Sequence, residues 1–156
     1  MAAQDRVGRA GTVRIPCADA ALVRTRGAVA EPSPAYGGRV PVALVVDDEP
    51  LVRRFVSAVL RHEGWSVLEA GSAVAALAIA DAGPFDLLVT DYEMPDVTGV
   101  ALALLLRKRD EGLPVLMVSG HPDAAREMLD LDGRTAFALK PFAAEELVTR
   151  VCSIVG

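Results

Sequence analysis

The sequence holds only two cysteines, two histidines and one tryptophan in 156 residues, and aromatic residues make up just 4% of it. Cys17 and Cys152 are far apart and fit no metal-ligand spacing, and His62 and His121 stand alone, so neither residue type is assigned a metal. Cys152 falls on an apolar helical stripe and reads as a small core residue; a disulfide is not expected. With so few rings the core has to be aliphatic, and a hydrophobic content of 52% suffices for one domain of this length. No apolar run approaches the roughly 18 residues of a membrane span, and the first residues lack the apolar stretch of a secretory signal. The expectation is a soluble cytoplasmic protein with no membrane partner.

The net charge of -5 is unevenly spread. Residues 1–40 carry six arginines against Asp5, Asp19 and Glu31, whereas the remainder is strongly acidic. An acidic body argues against nucleic acid as a partner. Residues 1–39 are rich in Ala, Arg, Gly and Pro and show no sustained period of two or 3.6, so they read as a disordered N-terminal extension; residues 40–156 read as the folded domain.

Within that domain, strand and helix patterns alternate. Strands are expected at Val42–Val46, Trp65–Ala70, Asp86–Asp91, Leu113–Val118 and Thr135–Leu139. Helices are expected from Pro50 to the Glu63-Gly64 stop, from an N-cap at Ser72 through Ala80, and over Val100–Arg109, Asp123–Leu129 and Ala144–Val155. Five such pairs imply right-handed crossovers and a doubly wound parallel sheet covered by helices on both faces.

In sheets of this kind the chemistry sits beyond the carboxyl ends of the strands. Asp47 and Asp48 follow the first strand, Asp91 ends the third, Ser119 follows the fourth and Lys140 the fifth, so every reactive side chain falls on one edge. Two carboxylates about 5 Å apart repel by roughly 3 kcal/mol at an effective dielectric of about 20, so a proton or cation must compensate. Hard carboxylate oxygens suit Mg²⁺ beside a phosphoryl group, with Asp91 as nucleophile and Lys140 and Ser119 on the phosphoryl oxygens. A lone acid or lysine at a strand end is usually a solvated loop residue; five compatible ones on one edge are not.

These residues come in segments: Asp47-Asp48-Glu49-Pro50; Thr90-Asp91-Tyr92-Glu93-Met94-Pro95 with Gly99; Met117-Val118-Ser119-Gly120; and Lys140-Pro141-Phe142. In this order and spacing, the stretch from about Val42 to Val155 resembles the receiver domain of bacterial two-component response regulators, the CheY-like superfamily. The resemblance implies a three-layer (βα)5 flavodoxin-like fold with strand order 2-1-3-4-5. It implies that Asp91 accepts a phosphoryl group from a phosphohistidine on a sensor histidine kinase or a histidine phosphotransfer protein. It further implies that Asp48, Asp91 and the backbone carbonyl of Glu93 contact Mg²⁺ directly, that Asp47 helps through water, and that the Lys140–Pro141 bond is cis.

Phe137 takes the place of the family's switch aromatic and Ser119 that of its hydroxyl, where tyrosine and threonine are commoner. Glu93 and His121 occupy positions that tune phosphate lifetime, and Gly120 leaves the pocket open to a donor. Phosphorylation adds about -1.5 to -2 units of charge and would change the face built from the fourth helix, fifth strand and fifth helix. That face would meet a downstream protein target or a second copy in a homodimer.

Because the sequence ends one residue after the last apolar position of the final helix, a stand-alone receiver that signals by contact, not an enzyme with turnover, is expected. The segments 113–123 and 137–142 also look like receivers attached to hybrid histidine kinases. A haloacid-dehalogenase-like phosphatase would carry its nucleophile first, in a DxD motif, and its acidic pair last; here the order is reversed. A receiver never phosphorylated would not need the full set of Asp47, Asp48, Asp91, Ser119 and Lys140.

Overall fold

Three of the five apolar runs, Val42–Val46 (β1), Leu87–Asp91 (β3) and Val115–Ser119 (β4), are buried almost end to end. Near-continuous apolar strands of this kind belong inside a parallel sheet covered on both faces. The computed structural model describes residues 39–127, 131 and 133–155. It places these three strands in the interior of a five-stranded parallel sheet of order β2-β1-β3-β4-β5. The more exposed strands Ser66–Ala70 (β2) and Thr135–Leu139 (β5) form its edges. The fold class and strand order expected from the sequence are therefore those observed.

Helices Pro50–His62 (α1) and Ala144–Val155 (α5) cover one face, and Ala73–Ala82 (α2) and Gly99–Arg107 (α3) the other. Alternate residues of each interior strand feed the two cores. Ala43, Val45, Leu87 and Val89 pack with Val56, Leu60 and Leu147, while Leu44, Val46, Leu88 and Met117 pack with Ala76, Leu102 and Leu106. A short helix, Ala124–Glu127 (α4), is shorter than the 123–129 stretch expected, of which residues 128–129 lie outside the described residues.

Several boundaries shift for local reasons. Trp65 does not open β2, because its amide still bonds to the carbonyl of Leu60 at the end of α1. The fourth strand begins at Val115, since Pro114 has no N–H to give the ladder and joins it only through its carbonyl, which accepts from Leu88. Thr98 caps α3 one residue earlier than anticipated, its Oγ1 accepting from the amide of Ala101 at 3.2 Å. Ser72 caps α2 as expected, but that helix runs on to Ala82. Cys152 corrects the reading of the cysteines: it is half-buried and disulfide-bonded, not a small core residue. Cys17 lies outside the described residues.

The proposed extension, residues 1–39, also lies outside the described residues except for Arg39. The Arg39 guanidinium grips the carboxylate of Asp86 through both terminal nitrogens. Asp86 in turn accepts from the amide of Val42 at 2.8 Å and donates its own amide to the Val42 carbonyl at 2.7 Å, tying the starts of β1 and β3 together.

Gly99 packs against the end of β3. Its amide donates to the Tyr92 carbonyl at 2.8 Å, and a Cβ at this position would come within 2.2 Å of the Asp91 carbonyl oxygen and 2.7 Å of Met117 Sδ. The obstruction includes backbone, which cannot swing aside. Gly99→Ala is expected to lower stability by about 1–3 kcal/mol, read as a drop in the urea midpoint with unchanged slope.

Candidate functional site

Val46 pairs with Thr90 across β1 and β3, so the residues that follow each, Asp47 and Asp91, leave the sheet side by side. The chain turns outward in opposite directions from these two strands, toward β2 on one side and β4 on the other, which makes this the point where the strand order reverses. Carboxylate oxygens of Asp47, Asp48 and Asp91 lie within 4.8 Å of one another. Asp47 and Asp91 are buried and Asp48 is exposed.

Lys140, just beyond β5, reaches into the acids. Its Nζ lies 3.1 Å from Asp47 Oδ2 and 3.4 Å from Asp91 Oδ1. Burial works against its charge, but the two carboxylates outweigh burial and hold its pKa above the usual lysine value. The Lys140–Pro141 bond that follows is cis, as the resemblance implied. Burial, reinforced by the charge of Asp47, pushes Asp91 up to about 6, against the opposing pull of Lys140 and the Glu93 amide.

The backbone around the acids is closely tied. Asp47 accepts from the Glu49 amide through Oδ1 at 2.8 Å, and Asp91 Oδ1 accepts from the Glu93 amide at 3.4 Å. Asp91 is engaged through Oδ1, and no hydrogen bond to its Oδ2 is found among the described residues. Above the acids opens a pocket of about 390 Å³ whose walls include Asp48, Asp91, Glu93, Gly120, His121 and Lys140. A Cβ at Gly120 would meet nothing within 4 Å, in keeping with an open mouth. His121 Nε2 and Glu93 Oε1 face each other at 3.1 Å across exposed ground.

The structure thus brings Asp47, Asp48, Asp91 and Lys140 together. Ser119 and Phe137 are set back from the pocket. Ser119 is fully buried, and its Oγ accepts from the His121 amide at 3.0 Å, within its own loop. Phe137 is half-buried and packs against the core on the α2–α3 side of the sheet. Sequence reasoning missed Arg53, whose guanidinium donates to the Asp47 carbonyl at 2.8 Å. No motif marks it, since an arginine in the first turns of a helix is ordinary. A larger groove of about 630 Å³ between α1 and α5 is lined by Phe55, Val59 and Val148 and lies away from the acids.

A family model described as "Response regulator receiver domain" matches residues 43–152. The probable transcriptional regulatory protein TcrX of Mycobacterium tuberculosis is 35% identical over 119 residues, which cover 76% of this chain and 51% of that protein. The sensor kinase CckA of Brucella abortus is 35% identical over 137 residues, covering 86% of this chain and 14% of the kinase. Among solved structures, the response regulator protein TrrA of Thermotoga maritima, in complex with Mg(2+)-BeF, superposes with a TM-score of 0.67 at 26% identity over 74% of this chain and 99% of that one. The chain spans about half the length of TcrX, and a smaller part of CckA.

Asp91 titrates higher in the folded chain than its ordinary 3.8. Between about pH 4 and 6 the native state therefore holds a proton that the unfolded chain has released, and stability falls as pH rises through that window. Asp91→Asn removes this loss. Relative to wild type, the variant should gain up to about 3 kcal/mol more at pH 7.5 than at pH 4, measured by urea unfolding in a chelator.

Proposed function

The chain belongs to the response regulator receiver family, and from that premise we propose that Asp91 is its phospho-acceptor. The observation that carries this reading is the position of Asp91, on the floor of an open pocket with Lys140 at 3.4 Å and two further acids beside it. An Asp91 carboxylate oxygen attacks the phosphorus of a phosphohistidine, the P–N bond breaks, the departing imidazole takes up a proton, and an aspartyl phosphate forms. The donor is a sensor histidine kinase or a histidine phosphotransfer protein. One phosphoryl group is taken up per molecule, so the chain acts as a signalling module.

The residues fit Mg²⁺. The oxygens of Asp47, Asp48 and Asp91 are hard donors clustered within 4.8 Å, and three carboxylates against one ammonium leave an excess of negative charge that a divalent cation cancels. The Glu93 backbone carbonyl completes the ligand set in this reading. Bound there, Mg²⁺ supplies charge neutralisation to the transferring phosphoryl group. Lys140 holds one phosphoryl oxygen by ion pairing. Ser119 turns its hydroxyl from the His121 amide to another, and Phe137 moves into the space that Ser119 leaves.

The face formed by α4, β5 and α5 then presents a different surface to a protein target or to a second copy, in the cytoplasm. The receiver is read as signalling through protein contact. A second setting, as the receiver portion of a hybrid histidine kinase, is favoured by the 137-residue similarity to CckA. The domain is assigned to residues 40–156.

The test is labelling with a small phosphodonor such as acetyl phosphate. Wild type should take up phosphate only when Mg²⁺ is present, and Asp91→Asn should take up none. Equal labelling of the mutant would sink the assignment of the acceptor.

A further inference from the structure

Two of the three acids of the site, Asp47 and Asp48, are carried by a loop whose shape has to be fixed before any ion arrives. We propose that Arg53, in the first turns of α1, is a positioning residue for the cation-binding acids, acting through the backbone of Asp47. The inference rests on the acidic cation site proposed above.

Arg53 Nη1 donates to the Asp47 carbonyl at 2.8 Å, and its backbone amide donates to the Glu49 carbonyl at 3.0 Å. One residue thus grips the loop 47–49 from both its side chain and its main chain. The Asp47 amide is held separately, donating to the Ala70 carbonyl at 3.1 Å. With both its N–H and its C=O engaged, the Asp47 backbone is fixed, and the directions of the Asp47 and Asp48 side chains follow from it. Removing the guanidinium frees one of those two ties.

Charge explains why an arginine can sit here at all. A guanidinium among three carboxylates would ordinarily pair with them and displace a cation. Arg53 is drawn the other way: its Nε lies 3.7 Å from Glu69 Oε1 on β2, while Glu69 Oε2 holds Arg61 Nη2 at 3.1 Å. The guanidinium therefore meets the loop only at a carbonyl, leaving the acid oxygens to the cation. Space for it is provided at Gly71, where a Cβ would come within 3.3 Å of Arg53 Nη1. Arg53 supplies geometry without neutralising the site.

The test is Mg²⁺ titration of the full chain by calorimetry, with no phosphodonor, for wild type, Arg53→Ala, Arg53→Lys and Glu69→Gln. Arg53→Ala should weaken Mg²⁺ binding about tenfold, the scale seen when groups that orient metal ligands are removed. Arg53→Lys should recover part of the loss, because an ammonium can reach the carbonyl but lacks the fork that also holds Glu69. Glu69→Gln should fall between wild type and Arg53→Ala. In the metal-free protein, exchange of the Asp47 amide hydrogen should be faster in Arg53→Lys than in wild type, and an unchanged rate in a variant with wild-type Mg²⁺ affinity counts against the proposal.

A residue that serves folding alone would lower the urea midpoint and leave the Mg²⁺ dissociation constant unmoved. A folded Arg53→Ala binding Mg²⁺ within twofold of wild type overturns the proposal. Should that variant fail to fold, wild-type affinity in both Arg53→Lys and Glu69→Gln overturns it equally. Failure of wild type itself to bind Mg²⁺ is a different result, and it overturns the cation site on which the proposal stands.

Discussion

The structure turns on an electrostatic conflict confined to one edge of one sheet. Strand pairing sets Asp47 and Asp91 side by side, and Asp48 follows directly. Their mutual repulsion cannot be relieved by moving apart, because Asp91 is paired within the β3–β4 ladder and Asp47 and Asp48 follow directly on β1. Lys140 offsets part of it, and the pKa of Asp91 is still raised, by burial first and by the charge of Asp47 second. Stability alone would favour replacing one of these acids, so folding does not account for all three standing together.

How much of this could be read beforehand depended on how local the cause was. The interior strands β1, β3 and β4 were legible as unbroken apolar runs, and the acids at their ends followed from the topology that alternation implies. Caps and stops such as Ser72 and Glu63-Gly64 were legible because a side chain or glycine acts on its immediate neighbours. Boundaries drifted where a single backbone bond decided the matter, as at Trp65 and Pro114. The disulfide at Cys152 had no sequence signal at all.

Long side chains were the least legible. Nothing in the sequence marks Arg107 for such a role, yet its guanidinium donates to the carbonyls of Leu113 and Arg134 and the hydroxyl of Thr135, stitching the start of β4 to β5. Arg53 reaches across a loop in the same way. Such reach is set by what the rest of the fold leaves open, and periodicity carries no record of it. Ser119 shows the converse: its place on the reactive edge was readable, but its hydroxyl being engaged by the His121 amide was not.

The clasp between Arg39 and Asp86 sits at the opposite end of the strands from the acids. Each strand between them has five residues, a span of about 16 Å. The ion pair is thus separated from the pocket by the full length of the strands. Loosening the clasp by exchanging Arg39 would therefore slacken the start of β1 and β3 and leave the groups around the mouth at Gly120 untouched.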